Sequence, residues 1–418
     1  MPNQLQPTQR HERIGSLDFL RGVAVLGILL INIESFSYPN PWSPFSYGFA
    51  NSIDREARFW VYTLAQGKFF SMFTLLFGVG FYIFLERLEG KGYGLKALDI
   101  YARRLLWLFV FGLVHAYFIW NGDVLYHYAA CGFFLFPFRS MRIKQLLLTL
   151  LLFATILLFN SYQRSSATHQ QYITHLQASQ VEVVKRTPQD EEIISRWERR
   201  TRRGSVDTAS MDVPRQNLYQ NWIANTEHTQ VHKGVVLHQG IFFRTLIMMI
   251  LGIVLYKLNV FQNYRTIKYY WLVTVGILVI ALTVNYLRYY HWTYEYFRPV
   301  KDVWQGWLFT FPKEALGLAY VFLLNGLYQK YRHQIKFTVI TDVGRMALTN
   351  YILQSVICGL LFYGYGLGKY NTYSRSELLY VVLVIWAIQL IVSRLWMKKF
   401  AQGPLEKLWR DLTYKSFK

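Results

Sequence analysis

The stretch Leu17-Asp18-Phe19-Leu20-Arg21-Gly22-Val23-Ala24-Val25-Leu26-Gly27-Ile28-Leu29-Leu30-Ile31-Asn32-Ile33 decides the fold class. With residues 34–37 it is long enough to cross a bilayer, whose hydrocarbon core takes about 20 residues of helix. Nine further apolar runs follow, over residues 67–86, 104–120, 125–138, 145–160, 241–256, 270–288, 304–327, 346–363 and 377–396. Of the 418 residues 53% are apolar and only 17% charged, against about 25% charged in a typical soluble domain. Mean hydropathy is +0.16 despite a long polar insert. An ordinary soluble enzyme and a disordered chain are both excluded. The expectation is an all-α polytopic membrane bundle of about ten transmembrane helices. Residues 1–160 form an amino-terminal membrane half, 161–240 one extracytoplasmic insert, and 241–418 a carboxyl-terminal membrane half with an interfacial tail. The first run follows a polar arm, residues 1–16, and lacks a small-residue cleavage site, so it reads as a retained helix rather than a leader.

The formal net charge is +21. In a soluble chain that would suggest nucleic acid, but here the surplus sits in short loops, which is the pattern of membrane topology. Arg87, Lys91, Lys96, Arg103 and Arg104 follow the second run; Arg139, Arg142 and Lys144 the fourth; Lys257, Arg265 and Lys268 the sixth; Lys330, Arg332 and Lys336 the eighth. Arg394, Lys398, Lys399, Lys407, Arg410, Lys415 and Lys418 lie in the tail. Ten spans put all of them, and both termini, in the cytoplasm of a bacterial inner membrane. The loop with Arg298, Lys301 and Asp302 is a mild exception, while Tyr38-Pro39-Asn40-Pro41-Trp42 shows the outer-loop character. The partners implied are a lipid bilayer and no nucleic acid. Homo-oligomerisation stays open.

Cys131 and Cys358 are the only cysteines, and each lies in an apolar run. They make neither a disulfide framework nor a zinc cluster, and read as small buried hydrophobes. The insert holds His169, His175, His228, His232 and His238. Residues 170–203 suit one or two helices. His228 and His232 are four apart, a spacing that binds metal on a helix, but no acidic or cysteine partner completes a motif. A solvated loop is expected there, and no metal.

Ionisable groups inside apolar spans are costly, and so mark candidate sites. Asp18 and Arg21 are i, i+3 and share a helix face. Arg21 suits an anionic group such as a phosphate, with Asp18 orienting it. A self-satisfied pair is the plain alternative. Asn32, about three turns on, continues the stripe. His115 stands near the outer end of the third span, and Asn121-Gly122-Asp123 is a tight-turn signal. The turn would bring Asp123 back to orient the imidazole as a general base. A buried histidine bonded to a carbonyl is the alternative, and His127 is the rival base. Lys313 and Glu314 follow Pro312 in the eighth run; being adjacent they point apart, so each needs a partner elsewhere, such as Arg21, Asp18 or Lys68. Lys68 is placed to snorkel outwards. Asn350 and Gln354, beyond Arg345, form an i, i+4 stripe that suits helix-to-helix bonding. Residues 403–410 read as a short interfacial amphipathic helix. No Walker loop, dinucleotide fingerprint, Gly-x-Ser-x-Gly elbow or metal motif is present, and no tightly bound cofactor is expected.

Together these blocks resemble a bacterial family. Leu17-Asp18-Phe19-Leu20-Arg21-Gly22 with Gly27-Ile28-Leu29-Leu30-Ile31-Asn32-Ile33, then Lys68-Phe69-Phe70 with Leu75-Leu76-Phe77-Gly78-Val79-Gly80, look like its amino-terminal signature. His115 with Gly122-Asp123-Val124-Leu125 and Tyr128-Ala129 resembles the next block. Gly344-Arg345-Met346-Ala347-Leu348-Thr349-Asn350-Tyr351 and Gly403-Pro404-Leu405-Glu406 resemble the last. This is the YeiB-like family of multi-pass inner-membrane proteins, whose carboxyl half is a domain of unknown function. Through its amino-terminal half the family is similar to transmembrane acyltransferases, among them heparan-glucosaminide acetyltransferase and bacterial sugar O-acyltransferases. The resemblance implies transfer of an acyl group from cytoplasmic acyl-CoA, the co-substrate, to an extracytoplasmic acceptor such as a cell-surface glycan. It also implies an acyltransferase histidine between the first two helices. Residues 38–66 hold none, so that role falls to His115.

The catalytic expectation is therefore His115 oriented by Asp123. Substrate contacts are expected from Asp18, Arg21, Asn32, Lys68, Arg103, Arg104, Lys313, Glu314, Arg345 and Asn350. Arg21, Arg103 and Arg104 would meet the CoA phosphates, and Asn32 and Asn350 the thioester oxygen. The rival readings are a proton-coupled small-molecule transporter or flippase using the same buried charges, and a non-catalytic scaffold.

Overall fold

The computed structural model describes residues 14–38, 51–201, 214–238, 240–294 and 303–414, and among these every regular element is helical. Residues 39–42, Arg298, Lys301, Asp302, Lys415 and Lys418 lie outside this set, as do the side chains of His232 and His238.

Helices α1 (Gly15–Ser37) and α3 (Lys68–Gly90) form the centre of the bundle. The apolar window of α1 is 72% buried and that of the α2–α3 unit 56%. Between them α2 (Ser52–Leu64) starts where the Asn51 side chain accepts from the Asp54 N–H at 2.9 Å. Gly67, at φ +78°, turns the chain into α3. α4 (Leu95–Val114) runs on into a π-helical turn, His115–Ile119. α5 (Leu125–Leu135) folds back on α4 and ends in a 3₁₀ turn, Phe136–Arg139.

α6 (Ile143–Gln180) carries an apolar window only 11% buried within the chain, so most of its surface is left to its surroundings. It runs well past residue 161, into the segment read as insert. There α7 (Pro188–Thr201) folds back on it, with the Trp197 ring 5.6 Å from His175. α8 (Leu218–His238) and α9 (Ile241–Lys257) follow, so His228 and His232 lie on a helix, not on the expected loop. Then come α10 (Tyr270–Thr293), α11 (Val303–Leu308) and α12 (Pro312–Tyr331). Pro312 opens α12 rather than kinking a longer helix; its missing N–H costs nothing at a first helical position. α13 (Thr338–Arg345) and α14 (Ala347–Phe362) meet at an 82° bend at Met346. α15 (Arg375–Lys399) begins on a Ser374/Glu377 capping box, and α16 (Pro404–Tyr414) ends the described chain.

Among the described residues six helical units are long and apolar enough to cross a membrane, and seven if α13 and α14 count as one bent span. By length and composition the described residues thus give fewer candidate spans than the ten expected. The run at 125–138 is an eleven-residue helix with a 3₁₀ turn, about 16 Å of α-helix against a core of about 30 Å. α4 carries Arg103 and Arg104 at mid-length, and α9 has 17 residues. The chain remains an all-α polytopic membrane bundle.

Two glycine crossings hold the centre. A Cβ at Gly22 would lie 2.1 Å from the Ile340 carbonyl oxygen, and one at Gly344 only 1.8 Å from that of Asp18. The backbones of α1 and α13 therefore touch. α3 and α9 do the same through Gly78 and Gly252, whose Cβ atoms would lie 2.2 Å and 2.3 Å from the carbonyl oxygens of Met249 and Leu75. In lipid, where no hydrophobic force drives helices together, such close packing is a main source of association. Gly344→Ala should lower stability by about 2–3 kcal/mol in detergent thermal unfolding, since backbone must move. Gly276→Ala, in α10 with nothing within 4 Å, should leave it unchanged or raise it by up to about 1 kcal/mol.

Candidate functional site

The end of α4 and the start of α5 build one half of the site. The Trp120 N–H closes the π turn on the His115 carbonyl at 2.8 Å. Asn121 and Gly122 reverse the chain, and the Asp123 Oδ1 comes to 2.7 Å from His115 Nδ1. The other carboxylate oxygen accepts from the Tyr126 N–H at 3.0 Å. The carboxylate is thus fixed by α5 and fixes the imidazole in turn. Nδ1–H donates to Asp123, which leaves Nε2 as the acceptor nitrogen. Both side chains are buried, and among the described residues Nε2 has no hydrogen-bond partner. Gly112 makes the hairpin possible: a Cβ there would lie 2.2 Å from the Tyr126 nitrogen and 2.8 Å from Asp123 Oδ2. The rival His127 points elsewhere, to Thr245 Oγ1 at 2.9 Å and Cys131 Sγ at 3.7 Å.

A cavity of about 560 Å³ forms the other half, walled by α1, α3, α4, α14 and α16. Arg21, Arg87, Lys91, Arg104, Arg345 and Arg410 line it, against the carboxylates of Asp18 and Glu406. Its apolar part is lined by Phe73, Phe77, Leu105, Leu108, Leu125 and Tyr128, together with Tyr351. The Tyr351 ring lies 5.2 Å from the His115 ring. His115 is therefore one side-chain layer behind the cavity wall.

Arg104 is held differently from the other cations. Its guanidinium lies 3.8 Å from the Trp409 ring centre and 4.6 Å from that of Phe84. Trp409 Nε1 is itself anchored on the Arg104 carbonyl at 2.8 Å. Among the described residues that guanidinium has no carboxylate partner. Arg21 bonds Asp18 at 3.0 Å, and the bare Cα of Gly80 gives it room: a Cβ there would lie 3.0 Å from its Nη2. Arg345 bonds the Ala401 carbonyl at 3.0 Å and lies 3.4 Å from Asp342. Glu406 caps α14 across the bend, accepting from Leu348 N–H at 2.7 Å, Thr349 N–H at 3.1 Å and the Thr349 hydroxyl at 2.6 Å. A carboxylate suits the positive end of a helix.

The structure thus brings Asp18, Arg21, Arg104 and Arg345 to one cavity and places His115 and Asp123 behind its wall. The other expected residues fall elsewhere. Asn32 does not line the cavity. Arg103, one helical step from Arg104, pairs outwards with Asp99 at 2.5 Å. Lys68 does not snorkel: it is wholly buried, donates to the Tyr62 carbonyl at 2.8 Å and sits 4.5 Å from the Tyr289 ring centre. Glu314 pairs with Arg244 at 2.9 Å rather than with Arg21 or Lys68, and Lys313 packs on Gly67. The Asn350 amide serves the Val343 carbonyl and Ser393 Oγ, at 3.2 Å and 2.9 Å, and Gln354 reaches Gln389 at 3.0 Å. These bonds tie α14 to α13 and α15.

Arg87, Lys91, Trp409, Arg410, Glu406 and Tyr351 escaped the sequence reading as site residues. The first two carried a visible signal, but it was read as topology. The tail is no mere interfacial helix: it forms a cavity wall.

Burial pushes the Glu406 carboxyl up from its ordinary value near 4.5, against the downward pull of Thr349 and Leu348. The folded state then binds the proton more tightly. This stability is present below the ordinary value and is lost as pH rises through the raised one. Melting temperature should accordingly fall across that window in wild type, and Glu406→Gln should flatten the slope. An equally steep slope in the variant would assign it to another group.

Residues 255–416 match the family model described as "Protein of unknown function (DUF418)". Over 99% of this chain and 98% of theirs, the sequence is 29% identical to "Uncharacterized protein YxaH" of Bacillus subtilis (strain 168). It is also 29% identical to "Uncharacterized protein YeiB" of Escherichia coli (strain K12), over 97% of each chain. A protein of Bacillus acidopullulyticus, "Uncharacterized 39.9 kDa protein in amylase 3'region", is 27% identical over 98% of this chain and 96% of its own. No solved structure matches. From end to end, then, the chain is similar to the YxaH and YeiB proteins, and its carboxyl-terminal part matches the DUF418 model.

Proposed function

We propose that the protein is a membrane-embedded acyltransferase that moves an acyl group from acyl-CoA to a hydroxyl on an extracytoplasmic acceptor, such as a cell-surface glycan. One observation carries this reading: a strongly cationic cavity, with an arginine stacked on rings and without a carboxylate partner among the described residues, is lined by Tyr351, behind which a buried His–Asp pair lies. The loop charges support an inner-membrane orientation with both termini in the cytoplasm. The cationic end of the cavity then opens to the compartment that holds CoA thioesters.

The phosphates of the donor meet Arg104, Arg21, Arg87 and Arg410, where charge-assisted bonds are strongest. A volume of about 560 Å³ falls within the roughly 300–1,000 Å³ of small-ligand sites. The apolar lining suits the pantetheine arm and the acyl chain. Transfer requires the Tyr351 ring to swing aside, so that the thioester carbonyl meets the imidazole. His115 Nε2 takes the acceptor's hydroxyl proton as its oxygen attacks that carbonyl. The C–S bond then breaks, and the imidazolium returns the proton to the departing CoA thiolate. Asp123 holds the ring and stabilises its charge throughout.

His115→Ala should reduce acyl transfer by about 10²–10⁴-fold while donor binding stays intact. Arg104→Gln should weaken acyl-CoA binding about tenfold or more, because a charge-assisted contact is worth about 1.5–3 kcal/mol. Calorimetry on purified protein and transfer of a radiolabelled acyl group measure the two effects. No binding of any CoA thioester, or binding indifferent to Arg104, would sink the reading.

A further inference from the structure

The π turn that carries His115 cannot stand alone. It ends at Ile119, so the carbonyls after His115 have no following turn to bond them. In a buried place each open carbonyl is costly. The partners come from α8. Asn221, Asn225 and Thr229 stand at i, i+4 and i+8 and so share one face. They are 0%, 0% and 1% exposed, whereas Leu218 and Tyr219 are 68% and 66% exposed. The first half of α8 therefore buries a polar stripe while leaving Leu218 and Tyr219 outside. Asn221 Nδ2 donates to the Phe118 carbonyl at 2.8 Å, and the Thr229 hydroxyl to that of Ala116 at 3.4 Å. Asn225 Nδ2 braces Asn221 Oδ1 at 3.4 Å.

The amino end of α8 is fastened in turn. The Gly364 and Tyr365 N–H groups donate to the carbonyls of Pro214 and Arg215, both at 3.1 Å. The Arg215 guanidinium lies 4.3 Å from the Tyr363 ring centre and donates to Asn221 Oδ1 at 3.1 Å. A chain of polar contacts thus runs from the end of α14, through residues 214–215 and α8, to the two carbonyls just past His115.

We propose that α8 is a positioning clamp: its Asn221–Asn225–Thr229 stripe holds the π turn so that His115 keeps its bond to Asp123 and its Nε2 faces the reaction. The clamp itself rests on the observed bonds. Its effect on turnover rests on the reading of His115 as the base. The three residues touch no substrate; they act through His115.

Two variants test it in the full-length, detergent-purified protein. Asn221→Asp keeps the shape and the Arg215 contact but removes the N–H that holds Phe118. Thr229→Val removes only a hydroxyl, and Thr229→Ser restores it. Hydrogen exchange by mass spectrometry should show peptides over 116–124 exchanging about tenfold faster in the double variant, with α1 and α3 peptides unchanged and Thr229→Ser like wild type. Acyl-CoA binding should stay within about twofold, and turnover should fall about tenfold or more. Unchanged exchange over 116–124 overturns the clamp. Should the double variant loosen everywhere, Thr229→Val alone decides on the same criterion. If wild type transfers no acyl group, the acyltransferase reading falls, and the exchange measurement still judges the clamp.

Discussion

The touching backbones of α1 and α13 are the contact on which the site stands. Gly22 and Gly344 bring the helices close enough that Asp18 and Arg21, on one, and Arg345, the last residue of the other, face the same space. Move the helices apart by one methyl group and the cationic rim loses its geometry. Glu406 works at the same junction. The 82° bend leaves the first amides of α14 without partners in their own helix, and a carboxylate from α16 supplies them. The glutamate that follows the Gly403-Pro404 pair is thus a local remedy for a broken helix.

Polar groups inside the bundle divide by what they do with their bonding capacity. Asn350, Gln354, Gln389 and Ser393 spend theirs on one another and on backbone. Arg244 and Glu314 neutralise each other. Lys68 leans on a carbonyl and a tyrosine ring. These are ties between helices, as expected in a medium that offers no water. His115 Nε2, like Glu314 Oε2 and the Tyr351 hydroxyl, has no partner among the described residues, but here the neighbouring ring nitrogen is secured by a carboxylate. Arg104 likewise rests its guanidinium on rings, has no carboxylate partner among the described residues and lines the cavity.

What could be read from the sequence was what local chemistry decides. The Asn121-Gly122 turn announces that Asp123 returns towards His115, because turn residues act within a few positions. Asp18 and Arg21 announce a shared face for the same reason. Apolar run lengths announce a membrane bundle, though not the number of crossings: the short α5 and the interrupted α11–α12 look continuous in composition. The ring stack on Arg104 joins residues some three hundred positions apart, and no local pattern encodes it. Arg103 and Arg104 look equivalent in sequence, and only the helix phase sends one outwards and the other inwards. The stripe on α8 did carry a signal, three polar residues at helical spacing, but its meaning depends on a π turn that sequence does not announce.

The Arg104 stack has a consequence for how an anion would enter. An arginine already engaged by a carboxylate must surrender that partner before it can take another, and the exchange recovers only the difference between the two. A guanidinium pressed between Phe84 and Trp409 keeps both rings while its edge changes company. Among the described residues no carboxylate holds that guanidinium, so the toll of capture there reduces to the water each side must shed.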